Sequence, residues 1–250
     1  MTKTAFITGA TSGFGKACAE MFAVKGWNLV LSGRRADRLQ KLQEASTQVA
    51  VHTVQCDVRE RAQVEAMVKN LPDSHKDIDL LVNNAGLALG IKPAQDANLD
   101  DWDTMVDTNI KGLMYVTHAL LPHMVNRRKG HIINMGSIAG SWPYPGGNAY
   151  GATKAFVEQF SNNLRADLHG TGIRVSNIEP GLAESEFSVV RFHGDQQKAD
   201  AVYEGTEPLT PKDIAEMVYW LEDRPAHVNI NRLEVMPVCQ SWGPFAIDRN

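Results

Sequence analysis

Cysteine is scarce in this chain, with only Cys18, Cys56 and Cys239 among 250 residues. Their odd number and wide spacing exclude a disulfide framework and a Cys-x-x-Cys metal site, and they suit a reducing, cytoplasmic setting. No apolar stretch approaches the length that spans a bilayer, and a β-prone run begins within a few residues of Met1, so neither a membrane span nor a signal peptide is expected. Positive charge is not in excess: the formal net charge is −4, which offers no footprint for nucleic acid. The cluster Arg127-Arg128-Lys129 reads instead as the end of a helix, where cations favour the dipole. The eight histidines form no His-x-x-x-His pair, so no metal site is expected. Repeats, linkers and low-complexity tracts are also missing. With 43% apolar and 22% charged residues, the sequence fits one domain over residues 1–250 with a sizeable core.

Strand-like and helix-like patterns alternate along the whole chain. Strands are expected near 4–8, 28–32, 50–55, 78–82, 130–135, 172–178 and 232–236, with helices between most of them. A long helix is expected from about Asp101 to Val125, another carries Tyr150 to His169, and Thr210-Pro211 starts the last one as N-cap and first residue. Each crossover must return the chain to the same sheet edge, so the fold class is α/β, a Rossmann-type doubly wound parallel sheet of about seven strands with helices on both faces. Ligands bind such sheets beyond the carboxyl ends of the strands.

The first strand, Thr4-Ala5-Phe6-Ile7-Thr8, leads into Gly9-Ala10-Thr11-Ser12-Gly13-Phe14-Gly15 and then a helical pattern. Strand, glycine-rich turn and helix form a phosphate cradle: the glycines allow close backbone approach, and the helix start supplies N–H groups and positive dipole. The second strand ends in Gly33-Arg34-Arg35, where an NAD-binding protein carries an acidic residue for the ribose. Arginine there pairs with a 2′-phosphate and favours NADP.

Tyr150 and Lys154 stand four positions apart (154 − 150 = 4), on one helix face, and Ser137 precedes Tyr150 by thirteen (150 − 137 = 13). A phenol titrates near about 10 and is a poor base at neutral pH. A fixed ammonium beside it favours the phenolate and draws the pKa down, which predicts a proton-transfer apparatus for an alcohol or carbonyl, with Ser137 donating to the substrate oxygen.

Together with Asp57-Val58, Asn83-Asn84-Ala85-Gly86, Asn109 and Pro180-Gly181, these pieces resemble the short-chain dehydrogenase/reductase family along nearly the whole chain. The resemblance implies that Asp57 and Val58 approach the adenine, that Asn83 to Gly86 support the cofactor cradle, and that Pro180 and Gly181 contact the nicotinamide end. It further implies that Asn109 relays protons through a water and that Lys154 holds the nicotinamide ribose. Ser12 stands where many NADP-preferring members are basic, so cofactor preference rests on Arg34 and Arg35; Ser185 replaces a common threonine and can still bond a carboxamide.

The segments 84–90, 140–144 and 225–231 resemble the bacterial NADP-dependent 3-hydroxy acid dehydrogenases, also described as serine or allo-threonine dehydrogenases. The expected reaction is hydride transfer between NADP and a small 3-hydroxy acid of the serine, allo-threonine or 3-hydroxypropionate type. Residues 181–206 follow the nicotinamide-contacting turn and read as a substrate lid, with Arg191 the candidate partner of a substrate carboxylate. The alternatives are a 3-oxoacyl thioester reductase, which shares the same catalytic residues, and a catalytically silent NADP sensor or scaffold. The resemblance also implies a homotetramer, to which the run from Val238 to Phe245 can contribute.

Overall fold

The structure is a computed structural model, and it describes residues 2–242 and residue 247. Its central layer follows from apolar residues that occupy both faces of the inner strands. In β1 (Thr4–Thr8), Ala5 and Ile7 enter one core and Phe6 the other. The same two-residue period divides β2 (Asn28–Gly33), where Leu29 and Leu31 oppose Val30. Strands apolar on both sides need cover on both, which is the condition of a parallel sheet. β3 (Val51–Gln55), β4 (Leu80–Asn83), β5 (Gly130–Met135), β6 (Ile173–Pro180) and β7 (Arg232–Val235) complete it. All neighbours pair in parallel, in the order β3-β2-β1-β4-β5-β6-β7.

The helices supply the cover. α1 (Gly13–Val24) and α2 (Ala36–Ala45) bury Cys18, Phe22, Leu39 and Leu42 in one core, and α3 (Arg61–Lys69) buries Val64 and Met67 in the other. α4 (Leu99–Val106), α5 (Leu113–Arg127) and α6 (Asn148–Asp167) follow, and the last two add Val116, Leu120, Met124 and Leu164 to the second core. After two short helices, α7 (Glu186–Arg191) and α8 (Gln196–Ala201), α9 (Pro211–Glu222) returns to the first core through Ile214, Val218 and Leu221. Thr210 caps α9 as expected, in a reciprocal capping box with Asp213 and with proline at the first helical position.

The helix expected over about 101–125 is longer and is interrupted. Between α4 and α5 the chain makes a π-helical turn, Asp107–Gly112. Two contacts hold the wide turn: the Asn109 side chain is drawn into the body of the protein, and Gly112 lies so close to Val58 that a Cβ would meet Val58 Cγ2 at 2.7 Å. A π turn leaves part of the regular hydrogen-bond ladder unmade and recurs at functional sites.

The strand order reverses between β1 and β4, which opens a crevice at their carboxyl ends. A buried polar chain fixes the elements around it. Asn83 Nδ2 donates to Thr117 Oγ1 at 2.9 Å and to Asn134 Oδ1 at 2.8 Å, and Asn134 Nδ2 donates to Ser161 Oγ at 2.8 Å. β4, β5, α5 and α6 are thereby locked in register beneath the crevice.

Candidate active site

The crevice is built first by the loops after β1 and β4. Thr8 Oγ1 accepts from the backbone N–H groups of Asn84 at 3.0 Å and Ala85 at 2.9 Å, while Asn84 Nδ2 donates to the carbonyls of Thr8 at 2.9 Å and Gly9 at 3.2 Å. That clasp explains the glycines. At Gly9 (φ +64°) a Cβ would lie 2.9 Å from Asn84 Nδ2, and at Gly15 it would lie 2.5 Å from the Gly9 carbonyl oxygen. Gly13 (φ +50°) differs, because its open side meets only Ser185, at 3.6 Å. The turn therefore packs tightly behind and stays free in front, as a backbone cradle for a pyrophosphate requires. Gly15→Ala is expected to destabilise the protein by about 1–3 kcal/mol, read as a lower urea midpoint at unchanged slope.

Three arginines gather where the second strand ends. Arg35 donates to Thr11 Oγ1 at 2.9 Å and to Ser12 Oγ at 2.7 Å, and its Nη1 reaches Glu186 at 3.1 Å. Arg38 Nη1 contacts the same carboxylate at 2.7 Å. Arg34 is exposed at the rim. This cationic cluster beside hydroxyls and open backbone fits a phosphate. Opposite it, Asp57 grips Arg59 with contacts of 3.0 and 2.6 Å. Burial raises the Asp57 carboxyl, but the Arg59 hydrogen bonds and the Arg59 and Arg34 charges outweigh it and hold the group below its usual range.

Tyr150 and Lys154 project from α6 into the other end of the crevice. Lys154 is 6% exposed, and its Nζ donates to the Met135 carbonyl at 2.7 Å. An ammonium has three donors, so others remain for a ribose. Burial pushes Lys154 down to about 8 and Tyr150 up to about 12. This corrects the expected electrostatics: the phenol is not depressed in this state, because desolvation dominates, and the groups that pull it back are Arg191 and the Ser137 hydroxyl rather than Lys154. The Lys154 ammonium stands 5.8 Å from the Tyr150 ring centre. Ser137 caps a short turn by accepting from Ala139 N at 3.1 Å, which fixes its side chain beside Tyr150.

Asn109 is 2% exposed, and both of its amide donors are engaged. Oδ1 accepts from Leu87 N at 2.9 Å, and Nδ2 donates to the Leu87 carbonyl at 2.8 Å and to Thr153 Oγ1 at 3.0 Å. It pins the loop after β4 to the helix of Tyr150.

α7 closes the chamber. The Phe187 ring lies 5.6 Å from that of Tyr150, and the Arg191 guanidinium lies 5.2 Å from the Tyr150 ring and 5.4 Å from that of Phe187. Arg191 Nη2 donates to Tyr144 Oη at 2.8 Å, and its carbonyl accepts from Gly90 N at 2.9 Å. Arg191 Nε is buried without a hydrogen-bond partner, a cost that a bound anion would remove.

Of the residues expected to bind cofactor, Gly9, Thr11, Ser12, Gly13, Phe14, Arg34, Arg35, Asp57, Val58, Asn84, Ala85, Gly86, Tyr150, Lys154 and Ser185 line the crevice. Ala10 is fully buried behind it, and Asn83 serves the polar chain beneath. Gly181 stands at the end of β6, donating to the Val235 carbonyl at 2.7 Å, with Gln240 and Met236 against its Cα. Ser185 caps α7, accepting from Phe187 N at 3.2 Å. Arg38 and Glu186 were not anticipated. Arg38 lies in the first turn of α2, three residues after the N-cap Arg35, a position that extends the basic cluster, whereas Glu186 carries no signal in sequence.

The short chain dehydrogenase family model matches residues 3–195. The NADP-dependent 3-hydroxy acid dehydrogenase YdfG of Salmonella typhi is 57% identical, over 98% of both chains. Sulfoacetaldehyde reductase 2 of Chromohalobacter salexigens is 54% identical, over 100% of both. Among solved structures, the closed form of serine dehydrogenase complexed with NADP+ matches with a TM-score of 0.94 at 54% identity, covering 99% of this chain and 100% of that one. A family match over most of the chain, these full-length relatives and the assembled Tyr150–Lys154 crevice lead to one conclusion: the chain belongs to the short-chain dehydrogenase/reductase family.

Proposed function

We propose that this oxidoreductase uses NADP to interconvert a small 3-hydroxy acid, of the serine, allo-threonine or 3-hydroxypropionate type, with its 3-oxo acid. The observation that carries the substrate class is Arg191, a guanidinium in an apolar chamber against Tyr150 with a buried, unpartnered Nε. The relatives named for 3-hydroxy acids and for serine support it.

Gly9 to Gly15, Arg34, Arg35 and Arg38 hold the phosphates, Asp57 and Val58 the adenine, and Lys154, with Pro180, Gly181 and Ser185, the nicotinamide end. Bound NADP supplies the hydride acceptor, and NADPH the donor. The chain's own residues handle the proton. On oxidation Tyr150 takes the hydroxyl proton, Ser137 donates to the substrate oxygen, and Lys154 orients the ribose and contributes positive charge. Asn109 positions the loop after β4; both of its amide donors are taken by Leu87 and Thr153, so a relay water would bond its remaining Oδ1 lone pair or main chain at the π turn. Residues 181–206 form the lid, and Arg191 receives the carboxylate.

A sulfonate-bearing aldehyde is the second reading, supported by the sulfoacetaldehyde reductase relatives, since the same guanidinium suits either anion. A neutral 3-oxoacyl thioester brings no charge to Arg191, and a silent sensor has no use for the assembled proton-transfer residues. A stereodefined panel followed by NADPH absorbance decides. Small 3-hydroxy acids or the sulfonate should exceed their neutral esters in kcat/KM by about tenfold or more, and a preference for acyl thioesters would overturn the reading.

Cofactor choice gives a further test. Arg34→Ala with Arg35→Ala is expected to weaken NADPH by roughly 10–150-fold, the value of a lost charge-assisted contact, and NADH far less. Equal losses would remove the 2′-phosphate from these arginines. We also propose a homotetramer, supported by the apolar cleft of about 800 Å³ along α3 and α5, lined by Val68, Leu71, Met114 and Tyr115. A monomer in light scattering at micromolar concentration would contradict it. Residues 243–245 of the C-terminal run expected at that interface lie outside the described residues.

A further inference from the structure

Glu186 is the first residue of α7, and its carboxylate reaches across the crevice to the adenosine end. Its oxygens accept from Arg38 Nη1 at 2.7 and 2.9 Å and from Arg35 Nη1 at 3.1 Å. Arg35 is held at the same time by Thr11 and Ser12, so one carboxylate joins the glycine-rich turn, α2 and α7. The side chains of Glu186, Arg35 and Arg38 are 49%, 39% and 39% exposed. Each pair is therefore weak and replaceable. A carboxylate also presents the arginines with the same kind of charged oxygen grip as a phosphate.

We propose that Glu186 is a built-in competitor for the 2′-phosphate of NADP: its carboxylate and the phosphate draw on the same arginines, Arg35 and Arg38, and that competition sets the affinity for the phosphorylated cofactor. The inference rests on the reading that these arginines receive the 2′-phosphate. Two groups of like charge beside the same pair repel, so the carboxylate weakens the hold of the arginines on the phosphate. The competition also reaches the chemistry, because the helix that Glu186 opens carries Phe187, 5.6 Å from the Tyr150 ring, and Arg191, 5.2 Å from it.

Equilibrium titration of nucleotide fluorescence tests this without turnover. Glu186→Gln removes the charge and keeps the volume. It is expected to bind NADPH about 3- to 10-fold tighter, the loss of one or two exposed pairs, and NADH within about twofold of wild type. In an Arg35→Ala, Arg38→Ala background the same change should have no effect on NADPH. Unchanged or weaker NADPH binding in Glu186→Gln, or an equal gain for NADH, overturns the competition while leaving the arginine reading intact. If Arg35→Ala with Arg38→Ala leaves the ratio of NADPH to NADH affinity at its wild-type value, both fall together.

Discussion

Tyr150→Phe is expected to lower turnover by roughly 10²–10⁴-fold, the usual contribution of a positioned acid–base group, with NADPH affinity within about twofold of wild type. The substitution deletes one oxygen and leaves the ring against Phe187 and Arg191, so little packing is lost. Its pH signature follows from the site. Burial pushes the phenol up to about 12, and Arg191 and Ser137 pull against that rise. Oxidation needs the phenolate, so its rate in wild type should climb with pH; reduction needs the protonated form and should fall at high pH. Both slopes should flatten in the variant. Stopped-flow measurement of the first turnover separates chemistry from product release. Activity within about threefold of wild type, with chemistry rate-limiting, would place the proton transfer on another group.

The electrostatic correction at Tyr150 shows where reading a sequence stops. The spacing of Tyr150 and Lys154 locates both on one face of α6, because helical periodicity is local. The sign of the phenol's shift is not local. It depends on how much water the fold removes and on Arg191, which arrives from a separate helix. The strands were legible for the same reason as the helix face: runs such as Ala5-Phe6-Ile7 are apolar at every position, and only a sheet covered on both sides explains them. The π turn at Asp107–Gly112 was not, since Val106, Ile110 and Leu113 keep helical spacing across it and its cause is the distant anchorage of Asn109 on Leu87. Glu186 illustrates the limit most sharply. Its partners Arg35 and Arg38 are 151 and 148 residues away, and nothing in the local run Glu184-Ser185-Glu186 announces them.

Arg191→Met is expected to lower kcat/KM for the anionic substrate by roughly 10²-fold, within the range of a lost charge-assisted contact. Methionine keeps much of the apolar stem between Phe187 and Tyr144 and removes the guanidinium that donates to Tyr144 Oη at 2.8 Å. Two effects then separate. Loss of the anion's partner raises KM if the pairing is equally strong in ground and transition states. Loss of a positive charge beside Tyr150 leaves the phenol higher still, because Arg191 is the largest influence that opposes burial there, and this lowers kcat for oxidation. The neutral ester shares the second effect but not the first. It should already be a poor substrate of the wild type, and in the variant it should lose only in kcat. NADPH affinity should stay at the wild-type value. The decisive quantity is the ratio of kcat/KM for acid and ester in the two proteins: a ratio that collapses towards unity assigns the anion to Arg191, and a ratio that survives assigns it to another cation.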